Sequence, residues 1–150
     1  MKKIYVLFLL LFIPIVSHSQ TFDDLKLIDN LNDFKRVMIE NNYQFDGEDD
    51  TGNLYYGYNL VKGSITTESK SDKWGIFLKD GGWVLQLRLK DFNTIVDSYE
   101  EIKKTIMKVC VYYDIITENG DDYVAYSCDS SKLGFRIGGD FGYIRHFPSR

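Results

Sequence analysis

The sequence predicts an α+β domain in which helices pack on antiparallel β-meanders. Apolar residues recur at helical spacing twice, around 25–41 and again around 95–109. Each helical stretch is followed by short runs of alternating apolar and polar residues. These runs are separated by Gly-containing turns, and strands following one another this way form a meander rather than parallel βαβ units. The chain therefore reads as helix plus meander twice, roughly 22–90 and 91–150, with the two tandem halves expected to form one sheet.

Residues 1–19 are set apart from that domain. Met1-Lys2-Lys3 is a short basic region and Ile4 to Val16 an apolar run broken only by Pro14. Ser17-His18-Ser19 supplies small residues at the −3 and −1 positions of a cleavage site, which completes a secretory signal pattern. The apolar run is shorter than the roughly 20 residues a membrane span needs. The expectation is cleavage after Ser19 that leaves Gln20 at the mature N-terminus, or Thr21 one residue on, a single secreted domain over 20–150, and a periplasmic or extracellular location. No later stretch approaches the length of a span.

Composition narrows the function. Hydrophobic residues make up 44% and charged residues 27%, an ordinary globular balance that argues against disorder. Two Cys and two Pro exclude disulfide-dense and collagen-like chains. The net charge is −4, more negative once Lys2 and Lys3 are removed, which does not suit sequence-independent nucleic-acid binding.

The elements follow in order. Phe22 to Tyr43 reads as helical, with Asp29 or Asn30 capping a second helix whose stripe is Leu31, Phe34, Met38 and Asn41. Asp46 to Asn53 is a polar loop. Leu54 to Val61 alternates, with Leu54, Tyr56, Tyr58 and Leu60 on one face, and Ser64 to Glu68 is a short return strand. Trp74–Lys79 and Gly82–Lys90 then form a hairpin about a two-residue Asp80-Gly81 turn. That register places Trp83 opposite Leu78 and gathers Trp74, Ile76, Leu78, Trp83, Leu85 and Leu87 on one face. A helix starting at Asp91 or Asn93 runs to about Val109, with the stripe Ile95, Tyr99, Ile102, Ile106 and Val109. Lys103, Lys104 and Lys108 lie on its solvated side.

The C-terminal strands follow. Asn119-Gly120 pairs Val111–Thr117 with Asp122–Cys128. Asp129–Lys132 turns onto Leu133–Gly138, and Gly139-Asp140 turns onto Gly142–Phe147. One face collects Val111, Tyr113, Ile115, Val124, Tyr126, Cys128, Leu133, Phe135, Ile137 and Ile144, with His146 at its end. This layout resembles the tandem helix-plus-four-strand arrangement of β-lactamase-inhibitor-like domains, in element order alone and with no shared motif. Export permits a disulfide between Cys110 and Cys128. A regular register, however, sets Cys128 opposite Val111 and turns Cys110 to the other face, so bridged and reduced thiols both remain open.

No catalytic constellation stands out. Beyond the signal segment His146 is the only histidine, and no Gly-x-Ser-x-Gly elbow occurs. Most Asp residues sit in turns, where they serve the backbone, and Asp114 is the mid-strand exception. The loop Asp46, Glu48, Asp49, Asp50, Asn53 lacks EF-hand spacing. Two Cys and one His make no zinc pattern. No metal or cofactor is expected, and the reading leans away from an enzyme. What remains is the outer face of the last meander, where Tyr112, Asp114, Tyr123, Arg136, Tyr143, Arg145 and Phe147 surround Ala125, Ser127, Gly134 and Gly138. Tyr and Arg dominate protein contact surfaces. The leading expectation is a non-catalytic, inhibitor- or immunity-like domain that binds another protein or surface macromolecule. The alternatives are a small carboxylate-dependent hydrolase and a ligand-binding domain with a pocket between helix and sheet.

Overall fold

The computed structural model describes residues 20–64, 67–89 and 98–148. Residues 1–19, the expected signal segment, lie outside the described residues, as do Asp91, Asn93 and Ile95 at the expected start of the third helix. The described chain runs α1 (Phe22–Lys26), α2 (Leu31–Glu40), β1 (Tyr43–Glu48), β2 (Leu54–Tyr58), β3 (Lys73–Phe77), β4 (Trp83–Arg88), α3 (Ser98–Val109), β5 (Val111–Glu118), β6 (Asp121–Cys128), β7 (Ser131–Gly138) and β8 (Phe141–Phe147). None of the described helices is long and apolar enough to cross a membrane.

The helices begin where side chains can satisfy their free N–H groups. Thr21 and Asp24 form a reciprocal capping box on α1. Asn30 caps α2, accepting from the amides of Asn32 and Asp33. Helix α2 stops at Glu40 with Asn41 as its C-cap, at the Asn41-Asn42 pair that reads from sequence as its end, and Asn42 adopts a left-handed backbone (φ 63°). Tyr43 instead opens β1, an edge strand where the sequence suggests the end of a helix and a loop. The segment expected to return as a strand over 64–68 contains two residues outside the described set. Next to it a single bridge joins Val61 and Lys70.

All eight strands form one antiparallel sheet in the order β1-β2-β3-β4-β8-β7-β6-β5. The two meanders join through β4 and β8, where Leu85 faces Ile144. Helix α2 packs on β1 and β3, and α3 on β6 and β8, all on one side of the sheet. The core lies between the layers: Phe34, Val37 and Met38 from α2, Tyr99, Ile102 and Ile106 from α3, and Trp83, Leu85, Leu87, Phe135 and Ile144 from the sheet.

Three registers differ from expectation, each for a local reason. In the β3–β4 hairpin the loop has three residues, Lys79-Asp80-Gly81. Leu78 exchanges hydrogen bonds around it with Gly82 and Gly81. Gly81 takes φ 89°, the left-handed position such a loop requires. Trp83 therefore faces Phe77, not Leu78, and Leu85 faces Gly75. This one-residue correction sends Trp74 and Ile76 away from the core. The driving contact is Gly75 itself, where a Cβ would lie 2.3 Å from Met38 Sδ and 3.3 Å from Phe34 Cζ. Only a residue without a side chain lets α2 sit this close.

In the β5–β6 pair the Asn119-Gly120 turn is as expected, but a bulge between Tyr112 and Asp114 adds one residue to β5. Val111 then faces Ser127 rather than Cys128. Val111 and Tyr113 leave the core-side set, and Tyr112 replaces them, its ring edge-on to Tyr126 at 5.9 Å. The same shift brings Cys110 across from Cys128. The two are joined in a disulfide with their Cα atoms 4.8 Å apart. In the β6–β7 pair the turn is the two residues Asp129-Ser130, and Cys128 faces Ser131. That is a slip of two from the expected register, so the side chains keep their faces.

Candidate binding face

The described helices all lie on one side, so the opposite face of the sheet carries no second layer among the described residues. One cross-strand row on that face joins both halves: Tyr55, Ile76, Val84, Arg145, Gly134, Ala125 and Asp114, from β2 through to β5. The row expected from sequence, Asp114–Ala125–Arg136–Tyr143, is corrected at its centre. Ala125 faces Gly134, Gly134 faces Arg145, and Arg136 faces Tyr143 one step along.

Gly134 leaves room for two aromatic rings. A Cβ there would sit 2.9 Å from both Phe147 Cε2 and Tyr123 Cβ. Tyr123 and Phe147 meet edge-on over it at 5.7 Å. Beside them Arg136 is held on several sides. Its Nε donates to the Tyr123 hydroxyl at 3.1 Å, its Nη2 lies 2.8 Å from Asp121, and its guanidinium is 3.9 Å from the Tyr143 ring centre. Burial opposes its charge, but Tyr123, Asp121 and Tyr143 outweigh that and raise its pKa. Arg136 is thus engaged within the chain, and its side chain is 20% exposed.

Arg145 organises the other end. Its side chain is 9% exposed, and its Nε is paired with Glu118 Oε2. Its Nη2 lies 3.8 Å from Asp80 Oδ2 in the β3–β4 loop. Glu118 belongs to β5, three places from β8 in the sheet order. That contact requires the sheet to curl toward its uncovered side. The curl encloses an open cleft of about 810 Å³, lined by Asp80, Ile116, Glu118, Lys132, Arg145 and Phe147 among others. Lys132 lies along its rim with Nζ 3.8 Å from the Tyr113 ring centre.

Of the seven residues singled out from sequence, Asp114, Tyr123, Arg136, Tyr143, Arg145 and Phe147 share this face. Tyr112 does not, because the bulge rotates it to the helix side. Asp114 is exposed and its carboxylate accepts from the Ile115 amide. Sequence reasoning missed Glu118, Asp80 and Lys132. Glu118 was accessible by alternation, since it follows Asp114 and Ile116 at a spacing of two. Asp80 and Lys132 were hidden by turn assignments.

Other candidates resolve into local roles. Asp49 accepts from Thr51, Asn53 and the Tyr55 hydroxyl, which hold its carboxyl well below the usual range and tie the β1–β2 loop together. His146 lies flat against Trp83, ring centres 5.4 Å apart and planes 10° apart. A comparison with protein-family models, curated proteins and solved structures finds no match to this chain.

Proposed function

We propose that the protein is an exported, non-catalytic domain that binds another protein, in the manner of an inhibitor or immunity protein. The binding surface is the uncovered, curled face of the sheet. The observation that carries this reading is the one-sided placement of the helices. It leaves an eight-stranded sheet with a concave face bearing Tyr143, Phe147, Ile116, Tyr55 and Ile76. Apolar and aromatic residues on an uncovered face favour a macromolecular partner. The concavity favours a protruding apolar loop of that partner, which would enter beside Phe147 and Ile116. Arg136 and Arg145 support the walls of the cleft from within rather than reaching outward.

Neither alternative gains comparable support. Asp80 and Glu118 are the carboxylates of the cleft, but both face the same guanidinium, which suits a clamp on the sheet. A pocket between helix and sheet is represented by a cavity of about 70 Å³ beside Trp83, Ile28 and His146. That is far below the roughly 300 Å³ at which small-molecule sites begin.

The test is a charge placed in the cleft. Ile116 is partly buried, so Ile116→Glu should cost about 1–3 kcal/mol, and the variant is assayed where urea unfolding shows it fully folded. It should lower capture of a protein from native extract tenfold or more relative to wild type. Ile39→Glu, on the exposed side of α2, is the control. Equal capture by all three proteins would overturn the assignment of this face.

A further inference from the structure

Gln20 joins an expectation from the sequence to an observation in the fold. The sequence reading places export cleavage after Ser19, which makes Gln20 the first residue of the exported chain. In the uncleaved chain, with residue 19 still attached, Gln20 is only 4% exposed. The two ends of its amide are treated differently. Oε1 accepts a hydrogen bond from the Tyr43 hydroxyl at 3.0 Å, whereas Nε2 is buried with no hydrogen-bond partner among the described residues. A buried donor without an acceptor is costly and rare in folded proteins. Burial raises the Tyr43 pKa, so that hydroxyl remains a donor throughout the physiological range.

We propose that Gln20 is a modification site, converted in the exported protein to an N-terminal pyroglutamyl residue. The α-amino nitrogen attacks the side-chain Cδ, forming a five-membered lactam. The Cδ–Nε2 bond breaks and Nε2 leaves as ammonia, taking up the proton released by the α-amine. Nothing is oxidised or reduced, and no co-reactant is consumed. The atom expelled is the one that lacks a partner. The carbonyl oxygen is retained, so the ring still offers Tyr43 an acceptor. The modification also removes the positive charge that a free terminal amine would bring beside a buried side chain. It closes the terminus against aminopeptidases.

This inference rests on the export reading, and one measurement separates the two. The full-length precursor is expressed with its own leader, and the exported protein is analysed immediately by intact mass and N-terminal sequencing. The expected result is a chain beginning at residue 20, lighter by one ammonia than the unmodified sequence. It should resist Edman degradation until treated with pyroglutamyl aminopeptidase. A chain beginning at Gln20 with full mass and a free amine would overturn the modification and leave the export reading standing. A chain that begins at Thr21 or another nearby residue would overturn the modification alone, and one that retains Met1 would overturn both. Gln20→Asn, whose side chain is one carbon too short for this ring, should give a chain at full mass that sequences directly. Loss of ammonia from that variant as well would place the change elsewhere and refute the assignment to Gln20.

Discussion

Cys110 and Cys128 meet because the strand between the helix end and the hairpin carries one residue more than its partner. With β5 regular, Cys110 would face away from Cys128. The bulge after Tyr112 turns it back, and the disulfide then fastens the end of α3 to the end of β6. Closing a loop of 18 residues is worth about 3 kcal/mol by the chain-entropy account. The double variant Cys110→Ala/Cys128→Ala should lose about that much in urea unfolding. Amide exchange should accelerate most along β5, the sheet edge it anchors. A change below about 0.5 kcal/mol would show that the bulge and helix packing hold this corner without the bond.

Gly75 sets how closely α2 approaches the sheet. Adding even one carbon there forces Met38 aside from a site where it is fully buried. Gly75→Ala should cost about 1–3 kcal/mol, in the range of overpacked cores, and Gly75→Val more. Gly47→Ala is the matched control, because a Cβ there meets nothing within 4 Å. Equal denaturation midpoints for Gly75→Ala and Gly47→Ala would contradict the packing argument.

The same glycine explains where the sequence misleads. The slipped register of the β3–β4 hairpin collects Trp74, Ile76 and Leu78 on one face, a richer apolar set than the true one. Gly75 is a core position that carries no hydrophobic signal, since its role is to make room for a helix distant in sequence. The β5 bulge was hidden for a related reason. Val111, Tyr112, Tyr113, Ile115 and Ile116 are apolar in either phase, so alternation could not detect an extra residue. At Asn119-Gly120 and Gly139-Asp140 the turn residues alone set the pairing next to the turn, whereas at Asp80-Gly81 turn chemistry and alternation agreed on a register that Gly75 overrides. Six of the seven candidate residues shared a face because strand side chains alternate with period two. The pairing of Glu118 with Arg145 was not legible, because it depends on the curl of the whole sheet.

The stack of His146 on Trp83 should make stability depend on pH. Burial lowers the His146 pKa below its ordinary 6.5, with Arg145 acting in the same direction and Asp29 and Asp80 opposing. The unfolded chain then binds the proton more readily than the folded one. The stabilisation is complete above pH 6.5 and is lost as pH falls from 6.5 toward the lower folded value. Urea midpoints should drop between about pH 7 and pH 5. His146→Phe, which preserves a flat ring against Trp83, should flatten that slope. An unchanged slope in the variant would assign the pH dependence to other groups.

Arg145 and Glu118 give the most direct test of how the cleft keeps its shape. Arg145 is nearly buried and Glu118 is 30% exposed, so removing the cation leaves a partly desolvated carboxylate without its partner. Breaking such a pair from one side typically costs about 3–5 kcal/mol when both groups are buried. The exposure of Glu118 brings the expectation for Arg145→Met toward about 3 kcal/mol. Asp80, at 59% exposure and 3.8 Å, adds little because solvent screens it. Glu118→Gln should cost less than Arg145→Met, since the guanidinium keeps an amide oxygen within reach and Asp80 nearby. If the pair bends the sheet, the double variant should lose less than the sum of the singles, with a coupling of about 1–3 kcal/mol. Additive losses would mean that the Tyr123–Phe147 contact over Gly134 maintains the curl instead. In that case Phe147→Leu, and not Arg145→Met, would be the variant that opens the cleft. Hydrogen exchange in the β5–β6 hairpin distinguishes these outcomes, because opening exposes its amides while β3 and β4 remain protected.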